Sequence, residues 1–186
     1  MRLPPNAMDH LEINNTLTGN QTDRVLVASG VLDENAIILD QGVPYEISGD
    51  IDITSQVNLS GEVEWRCADD VRIYVTGGFT TSWDDHAVIS ALSERPGAWH
   101  GITLNLDNDQ VTEAPMKLFN LTIEYGGGGP LFPANLSIER GRVDVKDAVI
   151  QHSASCGIRY DQTSVDFRDQ GNNVFIDNAG GGICVD

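Results

Sequence analysis

A seven-residue pattern recurs three times toward the C-terminus of this chain, and it constrains the fold more than any other feature. Asn120-Leu121-Thr122-Ile123-Glu124-Tyr125-Gly126 is followed by Asp147-Ala148-Val149-Ile150-Gln151-His152-Ser153 and then by Asn173-Val174-Phe175-Ile176-Asp177-Asn178-Ala179. The starts lie 27 and 26 residues apart. Two further strand-like units travel in step. Leu136-Ser137-Ile138, Ile158-Arg159-Tyr160 and Ile183-Cys184-Val185 make one; Met116-Lys117-Leu118, Val143-Asp144-Val145 and Val165-Asp166-Phe167 make the other. Three short alternating strands in a repeat of roughly 20–30 residues is the pattern of a coiled solenoid of β-strands. No rung can bury its apolar face alone, and parallel stacking about 4.8 Å apart buries it. On this alignment Leu121 stacks on Ala148 and Val174, and Ile123 on Ile150 and Ile176. Leu136, Ile158 and Ile183 form another column, and Ile138, Tyr160 and Val185 the next. Asn120, Asp147 and Asn173 form a polar ladder expected to satisfy turn backbone.

Upstream, short alternating segments come at close intervals: Tyr45-Glu46-Ile47, Ile51-Asp52-Ile53, Val57-Asn58-Leu59, Val63-Glu64-Trp65 and Ile73-Tyr74-Val75. Glycine and acidic turn residues separate them, and no stretch holds a helical period beyond one turn. Residues 1–42 lack the repeat, although Val25-Leu26-Val27 and Ala36-Ile37-Ile38-Leu39 are apolar. This segment is the candidate N-terminal cap over a β-helix spanning 43–186. Trp99 is expected to pack at the entrance of the following strand, with His100 an exposed turn residue. Trp65 and Trp83 are expected to cover turns or the cap boundary. The chain stops on a strand at Val185-Asp186, so either a longer chain or an end-to-end contact with another protomer is expected there.

The 28 acidic and 11 basic residues give a formal charge of −17. That field repels nucleic acid and anionic membrane surfaces. No apolar run reaches the length of a membrane span, and no signal peptide is visible at Met1-Arg2-Leu3-Pro4-Pro5-Asn6. Cys67, Cys156 and Cys184 have no metal spacing, and the last two fall on different repeat positions, so free thiols are expected.

Ala87-Val88-Ile89-Ser90-Ala91, then Pro96-Gly97-Ala98-Trp99-His100-Gly101-Ile102-Thr103-Leu104, then Leu121-Thr122-Ile123-Glu124-Tyr125-Gly126-Gly127 and Ala134-Asn135-Leu136 follow in order. This succession resembles the right-handed parallel β-helix domains of bacterial surface and secreted proteins, in the pectate-lyase-like superfamily. The resemblance covers roughly residues 43–186. It implies an all-β solenoid with three strands per rung and a place outside the cell, and it leaves activity open, because that superfamily holds lyases, hydrolases and adhesins.

In such folds the active groups project outward. The outward column Thr103, Ser137, Arg159, Cys184 supplies an arginine and no carboxylate, which counts against calcium-dependent lyase chemistry. Lys117, Asp144 and Asp166 would stack with the two carboxylates roughly 5 Å apart, about the separation of a retaining glycosidase pair; a surface charge ladder is the plainer reading. Tyr125, His152 and Asn178, flanked by Glu124, Gln151 and Asp177, end the first strand beside Gly126-Gly127-Gly128-Gly129-Pro130. An aromatic ring, an imidazole and carboxylates next to a glycine-rich loop could grip a sugar, with His152 as general base if oriented. The expected ligand-binding set is therefore Glu124, Tyr125, His152, Asp177, Asn178 and Arg159, and the catalytic candidates are Asp144, Asp166 and His152. No metal site or cofactor is called for, though acidic turns such as Asp107-Asn108-Asp109 leave room for calcium. The leading expectation is a non-catalytic extracellular or cell-surface module that recognises carbohydrate or a protein surface. The alternatives are a polysaccharide lyase or glycosidase, and a structural spacer or oligomerisation segment.

Overall fold

The chain climbs through a parallel β-solenoid of about 7 turns. The computed structural model describes residues 2–12, 15–106, 115–131 and 133–186. The strands of successive turns stack on three sides. The first side stacks Arg2–Leu3, Val25–Val27, Tyr45–Ile47, Glu64–Cys67, Ala87–Ala91, Leu121–Glu124, Val149–Gln151 and Val174–Ile176. The second stacks Gly30–Leu32, Ile51–Ile53, Arg72–Val75, Gly101–Asn105, the start of Ala134–Lys146, Cys156–Tyr160 and Gly181–Val185. The third runs in two blocks: Ala36–Leu39, Gln56–Ser60 and Gly78–Thr81, then Met116–Phe119, the end of Ala134–Lys146 and Val165–Asp169. Between the blocks one side chain does the work of a ladder: the Thr81 hydroxyl donates to the Phe119 carbonyl at 2.6 Å and accepts from the Phe119 amide at 2.7 Å. Among the described residues the one helix is the 3₁₀ turn Pro5–Ala7, and no helix is long and apolar enough to cross a membrane.

The period-two pattern explains the core. Inward residues stack in columns, one of which runs Val25, Tyr45, Trp65, Ile89, Ile123, Ile150, Phe175 through the register. Tyr45, Trp65, Ile89, Ile123 and Ile150 are fully buried. Trp65 is therefore a core residue with repeat equivalents above and below, not a turn cover. Trp83 does sit outside, 55 % exposed, against Phe119 and under the Lys146 ammonium. Trp99 is buried at the strand entrance and donates its indole N–H to the Glu124 carbonyl at 2.9 Å. The columns Leu136–Ile158–Ile183 and Ile138–Tyr160–Val185 stand as expected.

Parallel pairing reaches back past the 42/43 boundary. Val25–Val27, Gly30–Leu32 and Ala36–Leu39 form a complete rung, and Arg2–Leu3 pairs with Val25–Val27. Two expectations are corrected by register. In the last rung of the first side Ile150 lies opposite Phe175, not Ile176, and Gln151 opposite Ile176. This one-residue slip turns every side chain over: Phe175 packs against the core while Val174 and Ile176 face out. The apolar triplet Val174-Phe175-Ile176 gave no alternation to fix its phase. On the third side Asp166 lies opposite Arg142, and Asp144 lies between Lys117 and Arg168. A two-residue slip keeps the same face and changes only the neighbours, so an apolar–Asp–apolar pattern could not detect it.

Cys156 and Cys184 are joined in a disulfide, with Cα atoms 6.0 Å apart and a sequence separation of 28. The expectation of free thiols is corrected here. In register Cys156 faces Gly181 while Cys184 faces Arg159, so the bridge runs diagonally between neighbouring strands. Cys67 is free and buried, and burial pushes its thiol pKa up.

Candidate functional site

Three corners of the solenoid and its outward faces were open to chemistry, and the structure sorts them. At the corner after the first side, Tyr125, His152 and Asp177 share a left-handed backbone, with φ of 62°, 55° and 49°. The Tyr125 and His152 rings stack, centroids 5.1 Å apart and planes 14° from parallel. His152 Nδ1 lies 4.0 Å from the Asp177 carboxylate. The column is thus Tyr125–His152–Asp177. Asn178 turns inward, its amide donating to the Ile150 carbonyl at 2.9 Å and its Oδ1 accepting from the Ser153 amide at 3.0 Å. The same slip makes the turn ladder Asn120–Asp147–Asn172, where Asn172 Nδ2 donates to Asp147 Oδ1 at 2.8 Å. Asn173 instead holds backbone, accepting from the Ala148 amide and donating to the Val145 carbonyl.

Glu124 projects from the first face and is taken up by its column: Ser90 Oγ donates to one oxygen at 2.8 Å, Gln151 Nε2 to the other at 2.6 Å. Packing fills the glycine run. A Cβ at Gly128 would stand 2.2 Å from the Gly97 carbonyl, and one at Gly127, with φ of 81°, 2.4 Å from Ser153 Oγ. Close approach between neighbouring turns is what these glycines serve. On the third side the Asp166 carboxylate is held by Arg142 at 3.2 Å and Arg168 at 2.9 Å. Asp144 is 8 % exposed, and its Oδ1 has no hydrogen-bond partner among the described residues. The two carboxylates are therefore not opposed.

The outward face of the second side is where cavity and polar chemistry coincide. Its central column reads Asp52, Tyr74, Thr103, Ser137, Arg159, Cys184 in register. Two cavities open along it. One, of about 260 Å³, is lined by Asp50, Arg72, Tyr74, His100, Thr103 and the segment 129–131, with Glu139 at its far wall. The other, of about 270 Å³, continues from Glu139 to Asn105, Arg140, Arg159, Asp161 and Ser164. They meet at Glu139, and the register shows why. Leu104 pairs with Ile138 and Asn105 with Arg140, leaving Glu139 as the extra residue of a β-bulge. Bulges bend a strand and re-aim a side chain, and they recur at functional sites.

The floor of this groove is held stiffly. Asn105 Nδ2 donates to the Tyr74 hydroxyl at 2.7 Å. The Arg72 guanidinium lies 5.0 Å from the centre of the Tyr74 ring and 3.2 Å from the Asp52 carboxylate. Arg159 grips Asp186 with two N–H groups, at 2.6 and 2.7 Å, and this pairing holds the Asp186 carboxyl below its ordinary value. Arg159 is the one residue of the expected ligand-binding set in this groove; Tyr125 and His152 line neither cavity. Arg72, Tyr74 and Asn105 escaped the sequence reading. Tyr74, flanked by Ile73 and Val75, faces outward by the period-two rule alone, and that was the available signal.

Among the described residues no group of three His, Cys, Asp or Glu side chains gathers to hold a metal ion. The acidic run Asp107-Asn108-Asp109 lies outside the described residues. Compared with known families, curated proteins and solved structures, the chain finds no match.

Proposed function

We propose that this chain is an extracellular or cell-surface module that recognises carbohydrate without turning it over, through the groove on its second face. The observation that carries this reading is the pinned aromatic floor: Tyr74, fixed by Arg72 and Asn105 and ringed by hydroxyl, amide, carboxylate and guanidinium groups. A sugar offers an apolar ring face and a set of hydroxyls, and such a floor answers both. A surface already held in its bound shape loses little freedom on binding. The Cys156–Cys184 bridge supports a location outside a reducing cytosol. The charge of −17 supports a ligand other than nucleic acid. Kinship with the bacterial pectate-lyase-like surface proteins belongs to the same proposal and is supported by the solenoid and the order of its motifs.

Two carboxylates outside the groove support binding over catalysis, since Glu124 and Asp166 are each engaged by neighbours. A further contact is favoured at the last rung, where Val174, Ile176, Ile183 and Val185 are exposed; a second copy of the chain would cover them.

A polysaccharide panel, with and without calcium, tests the reading. Gel retardation should appear, with no new reducing ends and no absorbance from unsaturated products. Product formation lost in Asp144→Asn or His152→Ala would move the chain to the enzymes. Silence across the panel would favour a structural spacer.

A further inference from the structure

The groove carries a charge arrangement that selects among carbohydrates, and the inference from it rests on the binding reading above. Three of the 11 basic residues, Arg72, Arg140 and Arg159, line the two cavities. Two of them are already neutralised in place: Arg72 by Asp52 at 3.2 Å, Arg159 by Asp186 through a two-pronged pair. The remaining charged lining, Asp50, Glu139 and Asp161 with Arg140, leans acidic. A polyanion entering here would meet no surplus cation, would desolvate its charges against carboxylates, and would approach through the field of a molecule at −17. A hydroxylated neutral chain meets the reverse. A paired guanidinium and carboxylate still present N–H donors and lone pairs side by side, which matches neighbouring hydroxyls that donate and accept.

We propose that the second face binds a neutral oligosaccharide, lying along the solenoid axis with a sugar ring against Tyr74 and its hydroxyls read by Asp50, Thr103, Glu139 and Arg140. The lining runs from Asp50 beside the second rung to Asp161 on the sixth, about 19 Å at the spacing of parallel strands. That length takes a chain of several sugars, not a single one. The bulge at Glu139 bends the floor midway and places one carboxylate between the two halves.

Calorimetric titration with neutral gluco-, manno- and N-acetylglucosamine oligosaccharides, beside oligogalacturonate and a sulfated oligosaccharide, tests this at low and high salt. Expected are binding of at least one neutral chain, affinity that does not fall with salt, and about a tenfold loss in Tyr74→Ala. Thr103→Tyr, a change on an outward-facing floor position, should block the groove and remove binding even if Tyr74→Ala fails to fold. Lys117→Ala, on the third side, should bind as the wild type does. Preference for the anionic chains, weakening with salt, would overturn the inference and leave carbohydrate recognition standing. Binding of neutral chains that Thr103→Tyr leaves intact would also overturn it, by placing the site elsewhere. Silence toward both classes would sink the binding reading itself.

Discussion

Asn135 shows how single polar residues hold this solenoid together. It is fully buried, accepts from the Gly126 amide at 2.7 Å, and donates to the Ile123 carbonyl at 3.1 Å and the Gln151 carbonyl at 2.7 Å. The Gln151 carbonyl accepts from the Tyr125 amide as well, at 3.3 Å. Asn135→Ala removes the partner of the Gly126 amide and leaves that buried donor unpaired, at a cost of roughly 1–3 kcal/mol. Urea unfolding of that variant should show a lowered midpoint, and an unchanged midpoint would mean that water replaces the amide. Asp186 offers a charge test at the same scale. Its folded pKa lies below the ordinary 3.8, chiefly through the Arg159 hydrogen bonds. A depressed carboxyl contributes stability that is fully present above the unfolded value and is lost as pH falls through the folded one. The clamp is therefore intact at neutral pH and opens only under acid conditions, below 3.8. Followed by carbon NMR, the Asp186 carboxyl should titrate below 3.8 in the wild type and move up toward it in Arg159→Met. Coincident curves would refute the pairing.

Among elements, the last rung depends most on a single bond. Most of Val165–Val185 is half-buried or exposed, whereas the inward residues of earlier rungs are buried. In a solenoid each rung contacts only its neighbours, so an end rung can open without the rest. The Cys156–Cys184 bridge ties that rung to the one before it. A bridge 28 residues apart in sequence contributes on the order of 3 kcal/mol. Reduction, or Cys156→Ser, should strip amide-exchange protection from Val174–Ile176 and Gly181–Val185 while leaving Tyr45–Ile47 protected. Equal loss in both regions, or none, would contradict a locally stapled end. The sequence patterns that made the rungs legible also set their limits. Alternation in Leu121-Thr122-Ile123-Glu124 fixes which side chains face in. Uninterrupted apolar runs such as Val174-Phe175-Ile176 leave the phase open, and the left-handed turn residues Asn172 and Asp177 mark it better than the apolar ones. The disulfide was invisible because the repeat register places the cysteines three positions apart. The solenoid was written in the spacing; the groove was not, since it depends on a bulge at Glu139 that no local pattern marks.

At the scale of the whole molecule, the core is a set of stacked columns, and the layer around Trp65 carries large rings. Trp65 sits between Tyr45 and Ile89, 5.9 Å from the Phe79 ring, with no exposed surface. Trp65→Ala should cost about 3–5 kcal/mol and lower the melting temperature of the whole solenoid. A variant as stable as the wild type would mean that this layer is not packed as described. The stacked columns in turn give the outward faces their rigidity, and the second face joins that rigidity to a groove with an aromatic floor. The most direct test is amide exchange with and without a saturating neutral oligosaccharide. Slowed exchange should concentrate in Arg72–Val75, Gly101–Asn105 and the bulged part of Ala134–Lys146, with the corner of Tyr125 and His152 unchanged. Protection centred on Tyr125 and His152 would place recognition at that corner and contradict the assignment of the groove.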